Sequence, residues 1–166
     1  MAELSLQVHD LDEAGTDSSL ALTPSWLDEQ LADAGLRHDS AAGPGRFEVH
    51  AQENGPGEYL VHGQLEAELL TECVRCLGDA KVAVNTTLTV LFKRGAASRP
   101  GSRGRDDSSD DEEDLLEEPF SGHEIVLDDL VREHLVLECP MQPLCSPTCE
   151  VIHVPEHLRP PEDVFG

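Results

Sequence analysis

The chain opens with Leu4, Leu6 and Val8 alternating with Ser5, Gln7 and His9, the two-residue period of a strand with one buried face. Thr23 followed by Pro24 marks a helix start, because the hydroxyl can accept a free backbone N–H and proline gives up none that the helix would use. Asp28 and Glu29 are expected in its first turn, at the positive end of the helix dipole. Trp26, Leu27, Gln30, Leu31 and Ala34 follow at helical spacing, and Gly35 stops the run. After a loop at 41–45, residues 46–50 read as a short strand, and Asn54-Gly55-Pro56-Gly57 has the chemistry of a turn.

Alternation is strongest from Tyr59 onward. Val61, Gly63, Leu65, Ala67 and Leu69 share one face, with His62, Gln64, Glu66 and Glu68 on the other. Val82, Val84, Thr86, Leu88, Val90 and Phe92 repeat the pattern. Two antiparallel strands over 59–71 and 81–92 follow, forming a sheet with one wet side. The segment from Cys73 to Asp79 then lies at a hairpin tip. Order is expected again near Ile125 to Leu127, after which Asp128 caps a helix over 128–138 carrying Leu130, Val131, His134, Leu135 and Leu137. Pro140 and Pro143 end it.

Between these halves, residues 95–114 show no apolar period and are rich in Gly, Ser, Arg and Asp, a composition that buries too little surface to offset the entropy of ordering. The expected organisation is one α+β domain, 1–92 with 115–154: a small antiparallel β-sheet with one or two packed helices. A disordered, basic-then-acidic insertion at 93–114 interrupts it, and an extended tail follows at 155–166. The insertion is expected to be excisable with little change in melting temperature.

The 166 residues carry 11 Lys and Arg against 34 Asp and Glu, a formal net charge of −23. Such a field opposes a general nucleic-acid coat, whose affinity comes from cations displacing counterions, and suits a basic protein partner. Residues 1–15 lack a positive start followed by an apolar run, and no stretch approaches the roughly 20 apolar residues of a membrane span. A cytoplasmic location is expected. In that reducing compartment the five cysteines read as metal ligands or buried thiols rather than as a disulfide framework.

Cys73-x2-Cys76 and Cys145-x3-Cys149 form two close pairs, which together can supply the four thiolates of a structural, tetrahedral Zn2+ site. Short loops present paired sulfurs at nearly fixed geometry, and joining distant pairs crosslinks a fold. Two other readings stay open: plain buried or partly exposed thiols, and a redox Cys-x-x-Cys, although the βαβ setting of the latter is missing. Cys139, before Pro140, is the odd thiol. His123, His134 and His153 are secondary candidates for the metal, against surface roles. No nucleophile–base pair or pocketed acid pair stands out, so no enzyme is expected. Trp26 reads as core rather than as a base-stacking platform.

Glu72-Cys73-Val74-Arg75-Cys76-Leu77, set between two alternating strands, resembles the Cys-x-Arg-Cys-Leu signature of the YceD family. The run from Ile125 to Leu137, continued by Cys139-Pro140-Met141-Gln142-Pro143-Leu144-Cys145 and leading to Cys149, resembles its second signature. The resemblance follows the element order from Leu4 to Cys149, with its specific motifs at 72–77 and 125–149. Many relatives continue with Gly-Leu-Cys-x-x-Cys-Gly, where this chain has Glu150-Val151-Ile152-His153.

The resemblance implies a non-enzymatic accessory factor for 23S rRNA accumulation or processing and large-subunit assembly. In that family the gene often neighbours one for a small basic ribosomal protein. The partner is then a large-subunit ribosomal protein or precursor 23S rRNA, with no membrane and no small-molecule substrate. Two alternatives are an acidic, chaperone-like binder of a basic ribosomal protein and a zinc or thiol redox sensor. Should RNA be touched directly, Arg75, Lys93, Arg94, Arg99, Arg103 and Arg105 are the candidate contacts.

Overall fold

A computed structural model of the chain describes residues 4–95 and 116–150. The expected α+β class holds. Eight strands appear in chain order: β1 (Ser5–Gln7), β2 (Thr16–Leu22), β3 (Arg37–His38), β4 (Gly45–Gly55), β5 (Glu58–Glu72), β6 (Asp79–Arg94), β7 (Leu116–Phe120) and β8 (Glu124–Val126). Two α-helices join them, α1 (Pro24–Leu31) and α2 (Asp128–Glu138).

The larger sheet runs β2-β4-β5-β6-β7, with β3 added to β5 beyond the end of β4. Its pairings are antiparallel except the last, where β7 lies parallel to β6. β1 and β8 pair separately, Leu6 opposite Ile125. The alternation of β5 and β6 falls as the sequence predicts: Val61, Leu65, Ala67, Leu69, Val82, Val84, Leu88 and Val90 are buried, while His62, Gln64 and Glu68 are exposed. Gly63 has a packing reason. A Cβ there would strike the Phe47 ring and come within 2.8 Å of the Glu48 carbonyl, so the glycine lets the largest fully buried side chain lie flat on the sheet.

One apolar core draws on both described stretches, 4–95 and 116–150. It joins the inner sheet face to Trp26, Leu27 and Leu31 of α1 and to Leu130, Val131 and Leu135 of α2. Arg132 ties the helices together, donating to the Gln30 carbonyl at 2.9 Å and pairing with Asp33 at 2.6 Å.

Several local expectations change. Thr23 does cap α1, accepting from the Trp26 N–H at 3.2 Å, and a left-handed Gly35 closes the 3-10 turn that follows. The first turn holds no acid, however; Asp28 lies farther along and accepts the His38 N–H at 2.8 Å. Asp128 is not the cap of α2 either. The cap position is Leu127, and the Asp128 carboxylate is buried, taking the Trp26 indole N–H at 2.7 Å and the Leu4 N–H at 3.3 Å. Leu137 points outward, 78% exposed, because it falls off the 130–131–135 stripe.

β6 runs through Lys93 and Arg94, so the start expected for the insertion is strand. Residues 96–114 of the 93–114 insertion and the 155–166 tail lie outside the described residues.

Candidate metal centre

β5 ends at Glu72 and β6 begins at Asp79, leaving a six-residue tip. That tip is drawn tight by its own backbone: the Cys73 N–H donates to the Gly78 carbonyl at 2.8 Å and the Leu77 N–H to the Cys73 carbonyl at 3.0 Å. Leu77 takes φ +60, a left-handed conformation that costs a non-glycine residue roughly 1–2 kcal/mol. The Gly78 N–H points at Cys76 Sγ, 3.4 Å away.

The second loop follows α2. Prolines prevent the helix from continuing, and the chain turns through Ser146, whose carbonyl accepts the Cys149 N–H at 3.1 Å. Two contacts fasten this loop to the hairpin tip. The Val74 N–H donates to the Pro143 carbonyl at 3.0 Å, and Arg75 Nη1 donates to the Cys149 carbonyl at 2.9 Å.

The four sulfurs of Cys73, Cys76, Cys145 and Cys149 therefore converge, all within 4.8 Å of one another. Cys73 Sγ lies 3.7 Å from Cys149 Sγ and Cys76 Sγ lies 3.6 Å from Cys145 Sγ. Tetrahedral coordination at a metal–sulfur length near 2.3 Å separates sulfurs by about 3.8 Å. These residues fit a metal ion. Cys73 and Cys149 are buried while Cys76 and Cys145 are exposed, so the cluster has a closed and an open side.

Electrostatics reinforce the geometry. Backbone N–H groups of Cys76, Cys145 and Arg75 converge on the Cys73 sulfur and hold its thiol down to about 6, with Cys149 adding a hydrogen bond. Cys149 moves the other way, pushed up to about 12 by its contact with Cys145 and by burial. At Cys145 the contact with Cys149 lowers the thiol, but Cys76, burial and Cys73 together raise it. A metal cation bound there would act on the whole cluster, deprotonating the thiols and drawing the sulfurs' negative charge onto itself.

The other candidates fall elsewhere. Cys139 is half-buried, its Sγ 3.7 Å from the Pro140 carbonyl, and burial raises its thiol. His134 bonds the Leu130 carbonyl through Nδ1 at 2.9 Å. Neither it nor His123 joins the thiol cluster, and His153 lies outside the described residues. Trp26 is core, 3% exposed.

Of the cations, Arg75 remains exposed beside the cluster with one nitrogen engaged. Lys93 pairs with Glu117 at 2.6 Å, which raises its ammonium. Arg94 lies over the Phe120 ring at 5.6 Å. Arg99, Arg103 and Arg105 lie outside the described residues. Sequence reasoning missed the exposed apolar pair that flanks the cluster, Val74 and Leu77 at 52% and 58% exposure. Their position inside the Cys-x2-Cys-Leu run was the available signal.

A family model described as "Large ribosomal RNA subunit accumulation protein YceD" matches residues 61–158, more than half of the chain. The chain belongs to the YceD family. The span matched to YceD contains both cysteine pairs, the hairpin that carries the first and the helix that leads to the second. Membership carries a role in large-subunit ribosomal RNA accumulation. No curated protein and no solved structure matches the chain. No helix among the described residues is long and apolar enough to cross a membrane.

Proposed function

We propose that this YceD-family chain acts in the cytoplasm as a non-enzymatic assembly factor for the large ribosomal subunit, holding one structural zinc and binding a basic ribosomal protein. The observation that carries this reading is the convergence of four sulfurs from two loops 69 residues apart inside the span matched to the family. Four thiolates are a soft, tetrahedral donor set, which selects zinc over the hard cations magnesium and calcium. Zinc supplies a crosslink there. The chain's own residues do the rest: the tip presents Arg75, Val74 and Leu77 outward, and the Pro143 and Cys149 carbonyls lock both loops in register.

Charge favours a protein partner. The net −23 repels phosphate, and of the RNA candidates among the described residues Lys93 is already paired with carboxylates. A cleft of about 450 Å³ beside β7 and α2 joins Phe92 and Phe120 to Glu118, Glu124, Asp129 and Glu133, a wall suited to the aliphatic stems and charged heads of Lys and Arg. Such a factor would shield a basic ribosomal protein until it meets rRNA, raising rRNA accumulation without contacting RNA.

The test is a tagged pull-down from cells with and without nuclease, together with elemental analysis of protein purified without chelator. Ribosomal protein retained after nuclease, and about one zinc per chain, are the expected results. Complete loss on nuclease treatment, with loss also on replacing Lys93, Arg94, Arg99, Arg103 and Arg105 by Ser, would transfer the reading to direct contact with precursor 23S rRNA. Freshly purified protein with fully reactive cysteines and no metal would leave a thiol-based redox sensor in place of the zinc site.

A further inference from the structure

The four sulfurs all lie within 4.8 Å of one another, and two of their contacts run between the loops. Cys73 Sγ lies 3.7 Å from Cys149 Sγ and Cys76 Sγ 3.6 Å from Cys145 Sγ, so each of these contacts takes one cysteine from each loop. The contacts also differ in access. Cys73 is 0% and Cys149 9% exposed, whereas Cys76 and Cys145 both stand in solvent on short loops. A small oxidant therefore reaches the Cys76–Cys145 pair more readily than the other.

We propose that Cys76 and Cys145 form a peroxide-oxidisable site whose product is a disulfide between the two loops. The reaction balances within named groups. One thiolate sulfur attacks a peroxide oxygen, the O–O bond breaks, and the sulfur becomes a sulfenic acid as one water forms after protonation. The second thiol then displaces the sulfenic hydroxyl as another water, making the S–S bond. Two thiols lose two electrons and two protons, and hydrogen peroxide takes them up to give two waters. A metal held by the cluster loses two of its four ligands and its site. The sulfurs must close from 3.6 Å to about 2.05 Å, a movement that exposed loops allow.

The consequence differs from that of chelation. Removing the metal leaves the hairpin tip tied to the loop after α2 by the Val74–Pro143 and Arg75–Cys149 hydrogen bonds, whereas oxidation exchanges one crosslink for another at the same place. The tip stays tied, and a cellular thiol reductant can reverse the step by exchange. This inference rests on reading the four thiols as one cluster, but its test also addresses a chain that carries no metal.

Full-length protein carrying Cys139→Ser is treated with hydrogen peroxide, alkylated, digested without reduction and mapped by mass spectrometry, while a chromogenic chelator reads released zinc. The expected result is a dominant Cys76–Cys145 linkage appearing together with zinc, with both signals lost or slowed in Cys145→Ser. A dominant Cys73–Cys76 or Cys145–Cys149 linkage overturns the proposal, as does zinc release without any disulfide. Protein that arrives without zinc defeats the metal reading alone, since the same linkage is still expected from its free thiols and its absence still counts against the proposal.

Discussion

Along its length the β5–β6 hairpin passes between two environments. In its middle, with β4 alongside, it rests on Phe47, Val61, Leu65, Leu88 and Val90, all buried and continuous with the helical core. At its tip the apolar cluster shrinks, among the described residues, to Cys73, Ala80 and Cys149 with Leu144 packed against them, and of the described strands besides β6 only the two-residue β3 flanks β5 there. The middle can be held by burial alone. The tip has too little apolar surface for that, and its order depends on hydrogen bonds between loops and on whatever the thiols bind.

The largest effect should come from breaking the middle. Phe47→Ala removes the biggest fully buried side chain from the floor that Gly63 makes, and should cost about 3–5 kcal/mol by denaturant titration. Because the core is shared by sheet and helices, the loss should be global and cooperative. If only the tip loosened in this variant, the two environments would not be distinct.

Metal removal should do the reverse. Chelation, or Cys73→Ser, should raise amide exchange at 72–79 and 143–150 while 61–69 and 82–90 keep their protection, as expected when one cooperative unit opens below the global free energy. Equal loss of protection in both regions would show that the tip and the core unfold together.

A third effect lies at the seam between the helices and the N-terminus. Asp128→Ala leaves the Trp26 indole N–H and the Leu4 N–H without their shared carboxylate, at a cost of about 1.5–3 kcal/mol for hydrogen bonds to a charged acceptor. Zinc content should not change, since the seam belongs to the core and not to the tip. Reduced metal stoichiometry in this variant would contradict the separation.

What the sequence disclosed divides along the same line. β5, β6 and α2 were legible because each repeats its period for many residues, and the cysteine pairs because ligand spacing is local. β2 escaped notice because, as an edge strand, it buries only Leu22 fully. β7, Leu-Glu-Glu-Pro-Phe, is acidic, interrupted by proline and held by parallel pairing to β6. Asp128 carries the sequence signal of a cap, yet its partners come from Leu4 and Trp26, more than 100 residues away, and no local pattern encodes them. The sulfur contacts that run between the loops were hidden for the same reason: spacing names four ligands but not their neighbours.

Acid should act next, and near the tip. Asp39 is buried, its carboxyl held below the ordinary 3.8 first by the Ala41 N–H and then by Lys81 on β6. A depressed carboxyl stabilises the fold above its unfolded value, and that contribution is lost as pH falls through the lower, folded value. Falling pH below about 4 should therefore free the 39–41 turn, and Asp39→Asn should remove that part of the acid dependence. An unchanged acid limb in the variant would show that the Ala41 and Lys81 contacts of the Asp39 carboxylate contribute nothing to the acid dependence.

The smallest effect should come from the fifth cysteine, which makes it the sharpest control on the comparison. Cys139 sits at the end of α2, between the two regions in sequence, packed against the main core and absent from the thiol cluster. Its N–H closes the helix on the Val136 carbonyl at 3.2 Å, a backbone bond that serine keeps. Burial raises its thiol, so it is a poor thiolate and a poor ligand. Cys139→Ser should leave metal stoichiometry unchanged and shift stability within about 0.5 kcal/mol. Loss of metal in this variant would mean that the site recruits a ligand from the helix end, and the boundary between core and tip would then run through α2 rather than beyond it.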